Sequence, residues 1–171
     1  MTFSIRFLYD LRRWDSIESG EYPWLKNGEF PADIFHDFRT EKGILSVWLV
    51  EEDYSNLERV LTAFAANRRS IDKLDFIIFN SQIFDDLEIR VEFEEGDTPD
   101  EFANNQWHWN LIELSGQKAA SLAARLYYES ERKRKLPPQI KAMVAEGVRQ
   151  GYIDNARLKG DIPKTIDKII R

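Results

Sequence analysis

His36 and His108 are the only histidines in the chain. With Asp33 and Asp37, which flank the first in Asp33-x-x-His36-Asp37, they offer the imidazole and carboxylate donors that zinc or iron accepts. Such a site would need both histidines to converge, and this spacing matches no ligand motif. His108 sits between Trp107 and Trp109 in a β-rich run, where packing or hydrogen bonding is the simpler reading. Acid–base catalysis by paired carboxylates needs two groups that converge with shifted pKa values. Thirty Asp and Glu residues make pairs too plentiful to nominate one. Glu88 and Glu92 fall on one face of an alternating run and could share a cation, but solvent-facing strand positions take charges, and charge protects a sheet edge. No G-x-S-x-G turn is present. Nor is there a phosphate-binding glycine loop, an H-E-x-x-H helix or an EF-hand. The sequence therefore names no catalytic residue, no metal and no cofactor.

Charge is more informative. The chain carries a net −6, which disfavours general affinity for nucleic acid. Residues 1–131 hold 13 Lys and Arg against 26 Asp and Glu, while residues 132–171 hold 11 against 4. The most acidic stretch, Asp85 to Glu101, has nine acids and Arg90 as its one cation. Asp85, Asp86, Glu88, Glu92, Glu94, Glu95 and Asp97 are the expected contacts for a protein partner with a basic surface. Trp107 and Trp109 are the expected anchors, because tryptophan is enriched at interface hot spots. Trp48 reads as core. The expected role is a non-enzymatic, acidic protein-interaction module. By analogy of charge and size alone, it would be an inhibitor or immunity-type partner of a basic protein.

The alternative is an accessory protein that contacts nucleic acid through a basic C-terminal segment. Arg125, Arg132, Lys133, Arg134, Lys135 and Lys141, with Tyr127 and Tyr128 nearby, would then meet phosphates. The signatures of the common nucleic-acid modules are missing. A third reading is an enzyme with an unrecognised carboxylate or histidine site.

These residues need elements to hold them. The chain has 171 residues, 43% hydrophobic and 13% aromatic, enough for one domain with a real core. It lacks cysteine, which removes disulfides and thiolate chemistry. No apolar run approaches the length of a membrane span, and the first residues lack the apolar stretch of a secretory signal. A cytoplasmic protein is expected.

Phe3–Phe7 alternates as a strand. Pro31–Phe38 suits a short helix. Ile44–Val50 and Ile71–Asn80 read as buried strands. Between them lies a helix with Ser55 as cap, Glu58 completing a capping box, and Leu57, Val60, Leu61, Phe64 and Ala65 as its stripe. Leu87–Phe93 alternates over seven residues, and Gln106–Leu114 is the next strand, with Trp107, Trp109 and Leu111 on one face. A helix capped by Ser115 is expected to run out through Arg132 to Lys135 and stop before Pro137-Pro138. Ile140, Met143, Val144 and Val148 form another stripe, ended by Gly151, and Ile162, Ile166, Ile169 and Ile170 a last one. The expectation is an α+β fold: a mixed or antiparallel sheet of about five strands, one crossover helix, and a C-terminal helical segment. Residues 1–135 would form the α+β sheet domain and residues 136–171 a helical appendage, separate or packed on the same core.

Overall fold

Six strands form one antiparallel sheet in the order β4-β5-β2-β1-β3-β6. A computed structural model describes residues 2–15, 22–26 and 29–170. The strands are β1 (Phe3–Leu8), β2 (Leu45–Val50), β3 (Leu74–Asn80), β4 (Arg90–Phe93), β5 (His108–Ile112) and β6 (Glu131–Lys135). The α-helices are α1 (Leu57–Ala66), α2 (Gln82–Asp86), α3 (Glu101–Trp107), α4 (Gly116–Glu129), α5 (Pro137–Arg149) and α6 (Ile162–Ile170). Short 3-10 turns cover Leu11–Arg13, Ala32–Phe38 and Asn155–Arg157.

β1 is central: Ile5 lies opposite Trp48 of β2 on one side and Ile78 of β3 on the other. Both neighbours run antiparallel to β1 and hence parallel to each other, so α1 carries the chain over β1 from β2 to β3. β3 has helices on both faces, which is why its sequence is nearly unbroken in apolar residues.

The first face presents Ile5, Trp48, Val50, Leu74, Phe76 and Ile78 to α1, α5 and α6. Phe7 stacks on Phe64 of α1. Ile140, Met143, Val144, Ile162 and Ile166 of α5 and α6 are buried in this same cluster, each contributing about 1.5–3 kcal/mol. Gly160 permits the docking of α6. Its φ is 61°, and a Cβ there would lie 2.1 Å from the carbonyl oxygen of Arg69. The Asp161 amide donates to that oxygen at 3.1 Å.

The second face presents Leu45, Val47, Ile77, Phe79 and Leu111 to α4 and to the segments around Trp14, Ile34 and Phe38. Arg6 also points this way, donating to the carbonyls of Asp37 (2.8 Å and 3.1 Å) and Ser46 (2.9 Å).

Several local expectations give way to longer-range contacts. The basic run is not a helix terminus: α4 ends at Glu129, and Glu131–Lys135 forms a sixth strand at the sheet edge. Arg132 and Arg134 lie opposite Ile77 and Asp75 of β3. Asp75 is buried, and it accepts two bonds from Arg134 (2.5 Å and 2.9 Å) and one from the Leu11 amide (2.9 Å). A buried carboxylate needs such partners, and only an extended β6 delivers Arg134 in that register.

The expected strand over 87–93 is shorter, because α2 precedes it and Glu88 has a left-handed φ of 50°. The strand expected from Gln106 begins at His108. Asp100 instead caps α3, accepting from the Ala103 amide at 3.0 Å. Trp107 therefore packs with the first face and Trp109 with the second. The capping box at Ser55 and Glu58 does not form. Asn56 takes the cap position of α1, with its amide side chain folded back onto β2.

Burial works to raise the pKa of Asp75, but the bonds from Arg134 and the Leu11 amide, with the charges of Arg134 and Lys73, outweigh it and hold the group below the usual carboxylate range. A carboxyl depressed in the folded state stabilises above its unfolded pKa of about 3.9, and that stability is lost as pH falls through the folded value. Asp75→Asn should cost about 3 kcal/mol at neutral pH. It should also lose less further stability below pH ~4 than the unsubstituted protein. Urea unfolding at both pH values measures this; equal acid sensitivity of the two proteins would contradict it.

Candidate functional site

An open cleft of about 910 Å³ lies where the β2–α1 loop faces α3. The loop is tightly tied. The Glu51 amide donates to Asn56 Oδ1 (2.9 Å), Asn56 Nδ2 donates to the Leu49 carbonyl (3.2 Å), and the Ser55 amide donates to Asp53 (2.9 Å). Tyr54 closes the turn with a left-handed φ of 60°. The result is a rim of three consecutive exposed acids, Glu51, Glu52 and Asp53. Hydrogen bonds from Ser55 hold the Asp53 carboxyl below its ordinary pKa, so it is anionic at neutral pH.

The opposite wall is Phe102 and Trp107, and the floor is Arg59 of α1. Arg59 makes a bidentate pair with the buried Asp100, at 2.6 Å and 2.9 Å. Its guanidinium lies 4.6 Å from the Phe102 ring centre, 4.8 Å from that of Tyr152 and 5.7 Å from that of Trp107. The bonds from Asp100 raise the Arg59 pKa further, against the opposing effect of burial. Behind this wall, Asn104 Oδ1 accepts from the Thr98 amide (3.0 Å) and hydroxyl (2.6 Å), while Asn104 Nδ2 donates to the Thr98 carbonyl (2.9 Å). That network pins the 94–100 loop to α3. Phe102 is 50% exposed, so much of its ring remains open to a ligand. Among the described residues lining the cleft, Ser55 is the one with a hydroxyl and none is a histidine. The chemistry on offer is recognition of a cation on an apolar stem: carboxylates for the charge and aromatic faces for both charge and stem.

The acids expected at the interface are spread over α2, β4 and the loop after it, and cations from elsewhere meet several of them. Asp86 pairs with Arg125 (3.4 Å) and Asp97 with Arg157 (2.9 Å). Glu92 pairs with Arg90, and Glu94 accepts from the Asn110 amide. Asp85 accepts from Gln82 (3.2 Å). The carbonyl of Glu88 takes the Lys118 ammonium, and Glu95 is exposed. Of the two expected anchors, Trp107 lines the cleft. Trp109 lies on the other face of the sheet, lining a smaller pocket with Leu49, Phe84 and Val91. Its indole Nε1 is buried there without a hydrogen-bond partner among the described residues.

The basic residues are also largely engaged. Arg132 pairs with Asp15 (3.2 Å), Arg134 with Asp75 (2.5 Å), Lys133 with Glu131 (2.9 Å), and Arg125 with Glu129 as well as Asp86. Lys135 and Lys141 make no ion pair among the described residues.

The two histidines lie in different layers. His36 sits beside Tyr9 (4.7 Å) and His108 beside Trp48 (5.0 Å). His108 Nδ1 donates to the Glu94 carbonyl at 2.6 Å. Asp37 is buried and accepts from the Tyr9 amide (2.5 Å) and Trp14 Nε1 (2.9 Å), while Asp33 accepts from the Tyr22 hydroxyl. Among the described residues no group of three His, Asp or Glu converges on a metal-sized site. The Ser115-x-x-Lys118 spacing, shared with serine–lysine nucleophiles, is here a helix cap: the Ser115 hydroxyl accepts from the Lys118 amide at 3.2 Å.

The acidic rim is the feature sequence reasoning passed over. Its local signal was present as three consecutive acids directly after a buried strand. No family model matches the chain, and no curated protein or solved structure is significantly similar to it.

Asp100 is both the cap of α3 and the counter-ion of Arg59. Asp100→Ala should therefore lose a cap worth about 1 kcal/mol and a buried ion-pair partner, a combined cost of about 3–5 kcal/mol. The midpoint of urea unfolding reports it, and a shift no larger than that of Asp97→Ala at the exposed Asp97–Arg157 pair would contradict the double role.

Proposed function

We propose that this protein is a non-enzymatic acidic interaction module that receives a basic segment of a partner protein in the cleft between the β2–α1 loop and α3, in the manner of an inhibitor that shields a basic protein. The observation that carries the reading is the exposed rim of Glu51, Glu52 and Asp53 facing the half-open Phe102–Trp107 wall. A Lys or Arg side chain would lay its stem along the rings and place its charge among the carboxylates. The net charge of −6 adds long-range attraction for a basic partner, which speeds encounter and makes the on-rate fall with salt. The cleft is favoured over the basic segment because Arg132 and Arg134 already have their charge met by Asp15 and Asp75.

Arginine-rich and lysine-rich peptides, titrated against the full chain with stopped-flow tryptophan fluorescence, test this. Saturable binding is expected, with an on-rate that drops as salt rises. Neutralising the rim as Glu51→Gln, Glu52→Gln and Asp53→Asn together should slow association at least tenfold, or about 1.4 kcal/mol. Phe102→Ala should mainly speed dissociation. Equal binding of a peptide of opposite charge, or no effect of the triple change, would overturn the proposal.

A further inference from the structure

A second pocket, in the layer on the other face of the sheet, has the reverse sign. It encloses about 340 Å³ and is lined by Arg13, Ala32, Asp33, Phe35, His36 and Arg39. That volume lies at the small end of the range for small-molecule sites. Two arginines and a histidine thus converge on a protein of net charge −6. Asp33, the one acid among the described residues of the lining, accepts the hydroxyl of Tyr22. Arg39 is exposed and makes no hydrogen bond or ion pair among the described residues. The Arg13 guanidinium lies 5.0 Å from the ring centre of Tyr9, and His36 meets the same ring edge-on at 4.7 Å. Phe35 supplies an aromatic wall that is 37% exposed, braced edge-on by Phe30 at 5.8 Å.

The fold holds these groups together. The Asp37 carboxylate bonds to the Tyr9 amide and to Trp14 Nε1, while its carbonyl is clamped by the half-buried Arg6. That clamp fixes the Ala32–Phe38 segment against the Leu11–Arg13 turn, and with them His36 and Arg13. Guanidinium pairs suit phosphate oxygens by geometry and charge, and an exposed ring beside them suits a stacked planar base.

We propose that this pocket binds a nucleotide unit, with its phosphate between Arg13 and Arg39, a hydrogen bond from His36, and its base against Phe35. The unit is either a free nucleotide or one residue of a single strand. The site shares no residue with the acidic cleft, so it stands or falls separately from the function proposed above.

Isothermal titration of the full chain with AMP, with inorganic phosphate and with a short oligothymidylate tests it. AMP should saturate one site and bind at least tenfold more tightly than inorganic phosphate. Arg39→Gln should weaken both ligands at least tenfold. Phe35→Leu should weaken AMP and leave phosphate unchanged. Both side chains are exposed, and an unchanged melting temperature verifies that each variant folds. Oligothymidylate that binds more tightly than AMP at low salt, with affinity falling as salt rises, marks a single strand as the source. Oligothymidylate no tighter than AMP marks a free nucleotide. Absence of saturable AMP binding, equal affinity for AMP and phosphate, or AMP binding that ignores Arg39→Gln would each overturn the proposal. Neutralising Glu51, Glu52 and Asp53 should leave the AMP titration unchanged.

Discussion

Arg6 stands on the central strand with its guanidinium bonded to backbone carbonyls, and the cover over the second face is arranged around it. Burial drives its pKa down to about 10, with the nearby Asp37 charge opposing the fall, so the group stays a cation at neutral pH. A cation in that position has to be satisfied by carbonyl oxygens or an anion. It takes the carbonyl of Ser46 from the neighbouring strand and the carbonyl of Asp37 from the 3-10 segment. The same Asp37 then gathers the Tyr9 amide and the Trp14 indole. One half-buried charge thereby orders two irregular segments. Trp14 is fully buried as a consequence, packed against Phe38 and Tyr127.

The acidic cleft is built by similar means on the opposite side. Asp100 is enclosed, and its partners Arg59 and the Ala103 amide come from two different helices. Both concavities thus rest on a buried ionic or charge-assisted bond beneath an exposed rim. The division is physically sensible. Exposed ion pairs contribute between zero and about 1 kcal/mol and hold geometry weakly, whereas an enclosed pair is costly to break and fixes its neighbours. The rims stay polar and accessible because the groups beneath them do the positioning.

The centre of the fold was legible in the sequence. β1, β2 and β3 announce themselves through alternation or unbroken apolar runs, and α4, α5 and α6 through stripes at helical spacing, because burial imposes those patterns locally. The misread elements are those whose state is decided by distant residues. The run from Arg132 to Lys135 resembles the cationic end of a helix. It becomes a strand because Asp75, 59 positions before Arg134, is buried opposite it. α3 spans seven residues, too short to show a stripe, and it separates two tryptophans that simple alternation would place on one face. At Ser55 a good local cap lost to Asn56, whose amide also secures the end of β2. The cleft was legible only in pieces: its acids, its floor and its aromatic wall come from three separate stretches.

The place of β1 in the sheet bears on how the chain reaches this structure. β1 pairs with residues up to Val50 on one side and up to Asn80 on the other, all of them later in the chain. Until both are in place, an apolar segment with two open edges has nothing native to pair with. Contacts of that sequence separation are slow to form because a long loop must close before they are rewarded. Unpaired strand edges in that interval invite association with other chains. Arg6 lies in the middle of this strand, and until the sheet closes over it, it is a solvated charge that interrupts the apolar run. The residue that organises the finished second layer thus also sits where gatekeeper charges are placed, inside an otherwise apolar strand.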